Sequence, residues 1–163
     1  MKVALGSDHR GLSAKRALIP YLKTLGCGVE DFGCHGHTGV DYPDIAYPLA
    51  AAVAAQKCQL GVLLDCDGIG MNMVANKVRG VRAATAYDEF TARFARENHH
   101  CNIITIGADL IAGADIPKIV QAFLLATVAS GPHARRVEKL MQIEEMLSQG
   151  CVAVDDPMRM SFA

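Results

Sequence analysis

"LGVLLDCDGIGMNMVANK", residues 60–77, joins a short apolar run to a segment of helical spacing through two acids, a cysteine and two glycines. The run "LGVLL" (60–64) has the length and continuity of a strand buried on both faces. The glycines after it mark a tight turn, and "IGMNMVANKV" predicts a helix. This is one βα unit, and the rest of the chain repeats its form. "KVALG" (2–6), "GVEDFG" (28–33), "VRAATAY" (81–87) and "NIITIG" (102–107) read as further strands. Carboxylates are costly to bury unless something pairs with them or uses them. Asp65 and Asp67, flanking Cys66 at a strand exit, are therefore where function is sought.

Amphipathic segments separate the strands. Residues 11–25 space their apolar positions as a helix does, with Pro20 expected to bend it. "DIAYPLAAAVAAQ" (44–56) predicts a second helix, with Pro48 in its first turn. "DEFTARFARENH" (88–99) predicts another, capped by Asp88. Two closing helices follow in "IPKIVQAFLLATVA" and "ARRVEKLMQIEEMLSQ", the last ended by Gly150. Alternation of this kind implies a parallel sheet with helices on both faces. The expected architecture is a three-layer, doubly wound α/β sandwich, flavodoxin-like, with five parallel strands in the order 2-1-3-4-5. Residues 1–150 form one domain, and 151–163 form a tail without clear periodicity.

The chain has 163 residues, enough for one full core. Apolar residues make up 51% and charged residues 20%, which fits a compact soluble protein. The net charge of −1 provides no basic field for nucleic acid or an anionic membrane. No apolar run approaches a membrane span, and the N-terminus enters a strand too soon for a signal peptide. A cytoplasmic protein is expected. The cysteines at 27, 34, 58, 66, 101 and 151 lack metal-ligand spacing. Most read as buried thiols rather than a disulfide framework.

In a doubly wound sheet, ligands bind at the carboxyl ends of strands beside the switch point. The exits of strands 1 and 3, "GSDHRG" (6–11) and "DCDGIG" (65–70), should face each other there. Gly68 and Gly70 suit an anion cradle or a plain tight turn. Asp8 suits a sugar hydroxyl or a helix cap. His9 and Arg10 suit a phosphate, a hydroxyl or only solvent. Tyr42, in "DYPD" (41–44), closes over a ligand or shapes a turn. His35 and His37 lack a third ligand for metal. Asn98 and His99 precede strand 5, where His99 is a proton shuttle or a helix C-cap. His133, Arg135 and Arg136 open the last helix, where cations oppose the macrodipole and a phosphate would stabilise them.

The fragments "GSDHRG", "DFG", "DYPD", "DGIGMNMVANKVRGVRAA", "NIITIGA" and "HARRV" occur here in the order that they take in the ribose-5-phosphate isomerase B family. That family also holds the galactose-6-phosphate isomerase subunits. The similarity covers about residues 1–149. It implies a cofactor-free, metal-free aldose–ketose isomerase, a homodimer or dimer of dimers with sites between subunits, acting on a sugar or sugar phosphate.

The resemblance also locates departures. Asp65 stands at the usual catalytic cysteine, with Cys66 one place late, and Asp67 at the usual threonine. The usual histidine–asparagine pair is inverted as Asn98 and His99. One phosphate-binding arginine is Pro132, while Arg136 remains. Catalytic roles fall to Asp65, Asp67, His99 and Cys66. Substrate contacts fall to Asp8, His9, Arg10, Tyr42, Gly68, Gly70, Asn72, Asn98, His133, Arg135 and Arg136.

Isomerisation through an enediolate needs a base at carbon and donors at oxygen. A buried carboxylate with a raised pKa suits the first task. Asp65 is the expected base. Asp67 beside it should resist double ionisation, leaving one member of the pair protonated. The alternatives are an isomerase of a different or unphosphorylated sugar, or a non-catalytic partner subunit.

Overall fold

The computed structural model describes residues 1–36 and 38–149. Five parallel strands form one sheet: β1 (Lys2–Ser7), β2 (Gly28–Asp31), β3 (Leu60–Asp65), β4 (Ala83–Thr85) and β5 (Ile103–Gly107). The helices are α1 (Leu12–Thr24), α2 (Tyr42–Ala54), α3 (Ile69–Ala75), α4 (Glu89–His99), α5 (Ile116–Leu125) and α6 (Pro132–Ser148).

Side-chain alternation along the strands divides the core in two. Val3, Leu5, Val62, Leu64, Ile104 and Ile106 face α1, α4 and α5 through Leu18, Ala92 and Phe123. Ala4, Leu63 and Ile103 face α2 and α3 through Leu49 and Met71. The α/β sandwich is therefore as expected.

The sheet order is β2-β1-β3-β5-β4, so the expected order 2-1-3-4-5 is corrected at its last two places. Burial explains the exchange. β4 is three residues long with none fully buried, whereas all five residues of β5 are buried. The longer apolar strand takes the interior position, and the short one becomes the edge. β3 remains central, between β1 and β5.

Several element boundaries move. α2 starts two residues early, at Tyr42, so Pro43 occupies the first turn and Pro48 lies inside the helix on an exposed position. α1 runs through Pro20, which is also exposed, so the carbonyl it leaves unpaired has water within reach. α3 stops at Ala75 because the Asn76 side chain ties its end to β4. Asn76 Nδ2 donates to the Ala83 carbonyl (3.0 Å), and Ala83 N–H donates to Asn76 Oδ1 (2.9 Å). Asp88 caps α4 as expected, in a reciprocal box with Thr91. The expected stop at Gly150 and the tail 151–163 lie outside the described residues, as does His37. Cys27, Cys34, Cys58 and Cys101 are buried free thiols, and Cys66 is exposed. Among the described residues no helix is long and apolar enough to cross a membrane.

One buried cation fixes the path from β2 to α2. Lys15 on α1 is 1% exposed. Its ammonium donates to Asp31 Oδ1 (2.6 Å), the Cys34 carbonyl (2.8 Å) and the Gly33 carbonyl. All three ammonium protons thus have acceptors, as a buried charge requires. Lys15→Met would leave Asp31 and two carbonyls without their donor. It is expected to lower the unfolding free energy by about 3 kcal/mol, read from the denaturant midpoint. An unchanged midpoint would contradict this anchor.

Candidate active site

The turn between β3 and α3 is built by its own acids. Asp65, the last residue of β3, points to the α3 side of the sheet and is 2% exposed. Gly68 N–H donates to its Oδ1 (2.5 Å), and Met71 N–H donates to its Oδ2 (3.2 Å). Ile69 N–H donates to Asp67 Oδ1 (2.8 Å). Three of the first amides of a seven-residue helix are therefore satisfied by Asp65 and Asp67.

These bonds bear on two expectations. Carboxylates hold the Gly68, Ile69 and Met71 N–H groups, which favours the plain tight turn over an anion cradle. Asp65 is almost wholly buried, and each of its oxygens already accepts a backbone bond. The glycines serve the turn differently. Gly68 sits at φ +79°, a left-handed conformation. Gly70 leaves room for the Tyr42 ring, whose carbons lie 3.0–3.2 Å from where a Cβ would stand. Gly107, at the end of β5, allows the Asp67 backbone to approach within 2.8 Å of its own missing Cβ.

Burial is the main cause that raises the Asp65 pKa above its ordinary value of 3.8, and the two amide bonds oppose it. Asp67 and Asp8 add repulsion. The exposed Cys66 thiol is also pushed up, first by desolvation and then by Asp67, Asp65, Asp8 and Asp109. Its thiolate is disfavoured, which argues against Cys66 as the reactive group.

The β1 exit completes the crevice. Asp8 caps its own turn, with Oδ1 accepting from Arg10 N–H (2.8 Å) and Gly11 N–H (3.0 Å). Val40 N–H donates to His9 Nδ1 (3.4 Å), a bond that puts a neutral imidazole's proton on Nε2. Arg10 pairs with Asp109 beyond β5. Sequence reading missed Asp109, because only the strand exchange brings the β5 exit beside that of β3. Asn72 turns toward the sheet, with its Nδ2 3.5 Å from Thr105 Oγ1, and accepts from Asn76.

The remaining expected site residues lie elsewhere. α4 runs from the end of β4 back to the start of β5, so Asn98 and His99 sit at the amino end of the sheet. Asp65 pairs with Gly107 at the opposite end of β5, roughly 13 Å of strand away. His99 is exposed and lies against Phe94, ring centroids 5.9 Å apart. The C-cap of α4 is His100, not His99. The segment before α6 is tied to the same end, since Ala129 N–H donates to the Glu97 carbonyl (2.8 Å). His133, Arg135 and Arg136, on the first turns of α6, follow directly from that tie. Asn102 clamps the β5 start by accepting from Arg82 N–H and donating to the Gly80 carbonyl, both at 2.8 Å. One chain thus separates an acidic crevice from a cationic cluster. Among the described residues no His, Cys, Asp and Glu group is arranged to hold a metal.

A parallel sheet with a carboxylate-lined crevice at its switch point is an architecture of small-molecule enzymes, and the comparisons specify which. The Ribose/Galactose Isomerase family model matches residues 3–140. The chain is 38% identical over 142 residues to the D-erythrulose-4-phosphate isomerase of Pectobacterium atrosepticum, covering 86% of this chain and 93% of that one. It is 33% identical to ribose-5-phosphate isomerase B of Escherichia coli, covering 88% and 97%. The structure of Clostridium thermocellum ribose-5-phosphate isomerase B superposes with a TM-score of 0.88 at 39% identity, covering 90% and 99%. The fold is that of a sugar-phosphate isomerase. The chain belongs to the Ribose/Galactose Isomerase family and is of the ribose-5-phosphate isomerase B type.

The buried carboxyl has a pH signature. The native state holds the Asp65 proton more firmly than the unfolded chain does. Its contribution to stability therefore declines as pH rises from about 3.8 through the raised native value. Asp65→Asn lacks that decline, so the wild-type-minus-variant difference should fall over the same range. The substitution should also cost about 1–3 kcal/mol, because its amide N–H meets a backbone donor. Denaturation curves across pH 3–7 check this (roughly the carboxylate titration range). A difference independent of pH would contradict the buried, proton-holding carboxyl.

Proposed function

We propose that the protein interconverts an aldose phosphate and the corresponding ketose phosphate by moving a proton between C1 and C2. The observation that carries this reading is a partly exposed carboxylate, Asp67, held by one oxygen at the switch point of a sugar-phosphate isomerase fold. The Ile69 N–H fixes Oδ1 of Asp67 and so orients the other oxygen. That oxygen takes the proton from the sugar carbon. An enediolate follows, and the same carboxyl returns the proton to the neighbouring carbon. Asp65 keeps the turn rigid from beneath. The base role passes to Asp67 in this reading because Asp65 is almost wholly buried, with each oxygen already accepting a backbone N–H. His9, with a proton on Nε2, gives that proton to the carbonyl oxygen and takes back the proton of the neighbouring hydroxyl, so the two oxygens exchange a proton as the two carbons do, and Tyr42 covers the ligand.

The carboxylates of Asp8, Asp67 and Asp109 at the strand exits disfavour a phosphate deep among them. The cations suited to that phosphate, His133, Arg135 and Arg136, lie at the other end of the same chain. A second copy supplies them, together with Asn98 and His99, so the working unit is at least a homodimer with sites between subunits. The substrates for which these relatives are named, D-erythrulose 4-phosphate and ribose 5-phosphate, set the chain lengths to test first.

Proton NMR in D₂O with tetrose, pentose and hexose phosphates, and their free sugars, tests the reaction. Solvent deuterium is expected at C1 or C2 of one phosphate. Asp67→Asn is expected to lower kcat by about 10²–10⁴-fold with the fold intact by circular dichroism. Asp65→Asn should act mainly on stability. No exchange with any sugar overturns the isomerase reading. Near-normal turnover in Asp67→Asn, with turnover lost in folded Asp65→Asn, returns the base to Asp65.

A further inference from the structure

Arg10 and Asp109 form an ion pair that crosses the switch point. Arg10 follows β1, Asp109 follows β5, and β3 lies between those strands. The guanidinium donates through Nε to Asp109 Oδ2 (2.8 Å) and through Nη2 to the same oxygen. Asp109 is held from below, since its N–H donates to the Cys66 carbonyl (3.2 Å). The Arg10 backbone is pinned by Asp8. Both ends of the pair are therefore anchored to the crevice, and the bridge passes over the Asp65–Cys66–Asp67 turn. Arg10 and Asp109 are both partly open to solvent, so the pair contributes little to folding. Its effect falls on whatever anion enters the crevice.

We infer that Asp109 is a specificity-setting positioning residue: it holds Arg10 across the crevice mouth, so that a phosphate must displace it to gain the guanidinium. Arg10 is the one arginine that this chain itself brings to the β1, β3 and β5 exits among the described residues. With Asp109 engaged, its charge is compensated and its planar donors are directed at a carboxylate. A phosphate dianion competes for the same fork, as guanidinium groups suit both acceptors. Weak or singly charged anions are then poor competitors, and neutral sugars gain nothing from Arg10. This rests on the reading that the substrate is phosphorylated, but its test needs no turnover.

The test is a double-mutant cycle read by calorimetric titration of inorganic phosphate into the intact protein at low ionic strength. Asp109→Asn is expected to tighten phosphate binding by about three- to tenfold. Arg10→Gln should weaken it. In Arg10→Gln/Asp109→Asn, most of the gain should vanish, because Asp109 acts through Arg10. The melting temperatures of wild type and Asp109→Asn should agree. Three outcomes overturn the inference: no detectable phosphate binding by Asp109→Asn, unchanged affinity in Asp109→Asn, or an equal gain in the double variant. The last would mean that Asp109 acts only by its field. Failure of deuterium exchange would instead remove the isomerase reading and leave this titration standing.

Discussion

The site depends on one interaction, the bond between the Asp65 carboxyl and the backbone amides of Gly68 and Met71. A seven-residue helix begins immediately after a buried strand, and its first amides need acceptors in a place that water barely reaches. Asp65 supplies two and Asp67 supplies one to Ile69. Two acids flank Cys66 because the turn between β3 and α3 requires anionic partners. The same bonds fix where Asp67 stands, and so the carboxyl proposed to react takes its position from the structural one. Gly107 permits the close approach that completes this arrangement.

The crevice is consequently rich in negative charge for a protein whose relatives handle sugar phosphates. Burial and neighbouring acids raise the Asp65 pKa and discourage the Cys66 thiolate. These are conditions under which carboxyl chemistry is favoured over thiol chemistry. In the proposed reading they also divide the substrate in two, its carbonyl and hydroxyl end meeting the acids of one copy and its phosphate the cations on α6 of another. Arg10 bridges the two regimes, since it is basic, lies among the acids and is restrained by Asp109.

Much of this was legible in the sequence, for identifiable reasons. The central position of 60–64 followed from an unbroken apolar run, and the Asp88 cap from an acid just before a helical period. The switch point followed from strand–helix alternation, which places the exits at 6–11 and 65–70 together. What was missed depended on the tertiary structure. β4 looked like a seven-residue strand, but only Ala83–Thr85 pair, as an edge, and the Asn102 side chain takes up the Arg82 N–H just before them. That exchange brought Asp109 into the site. The inward turn of Asp65 was hidden too, since a strand-end acid serves a cap or a base with the same one-letter code. The direction of α4 decided the fate of His99: motif order put it near the site, and topology put it at the far edge.

The most direct measurement is a crystal structure with a sugar-phosphate hydroxamate, whose planar end mimics the enediolate. The account predicts a hydrogen bond from Asp67 to that end, Asp65 still accepting from Gly68 and Met71, and the phosphate held by arginines of a second copy. An Asp65 carboxyl swung out onto the hydroxamate, with Asp67 remote from it, would contradict the account.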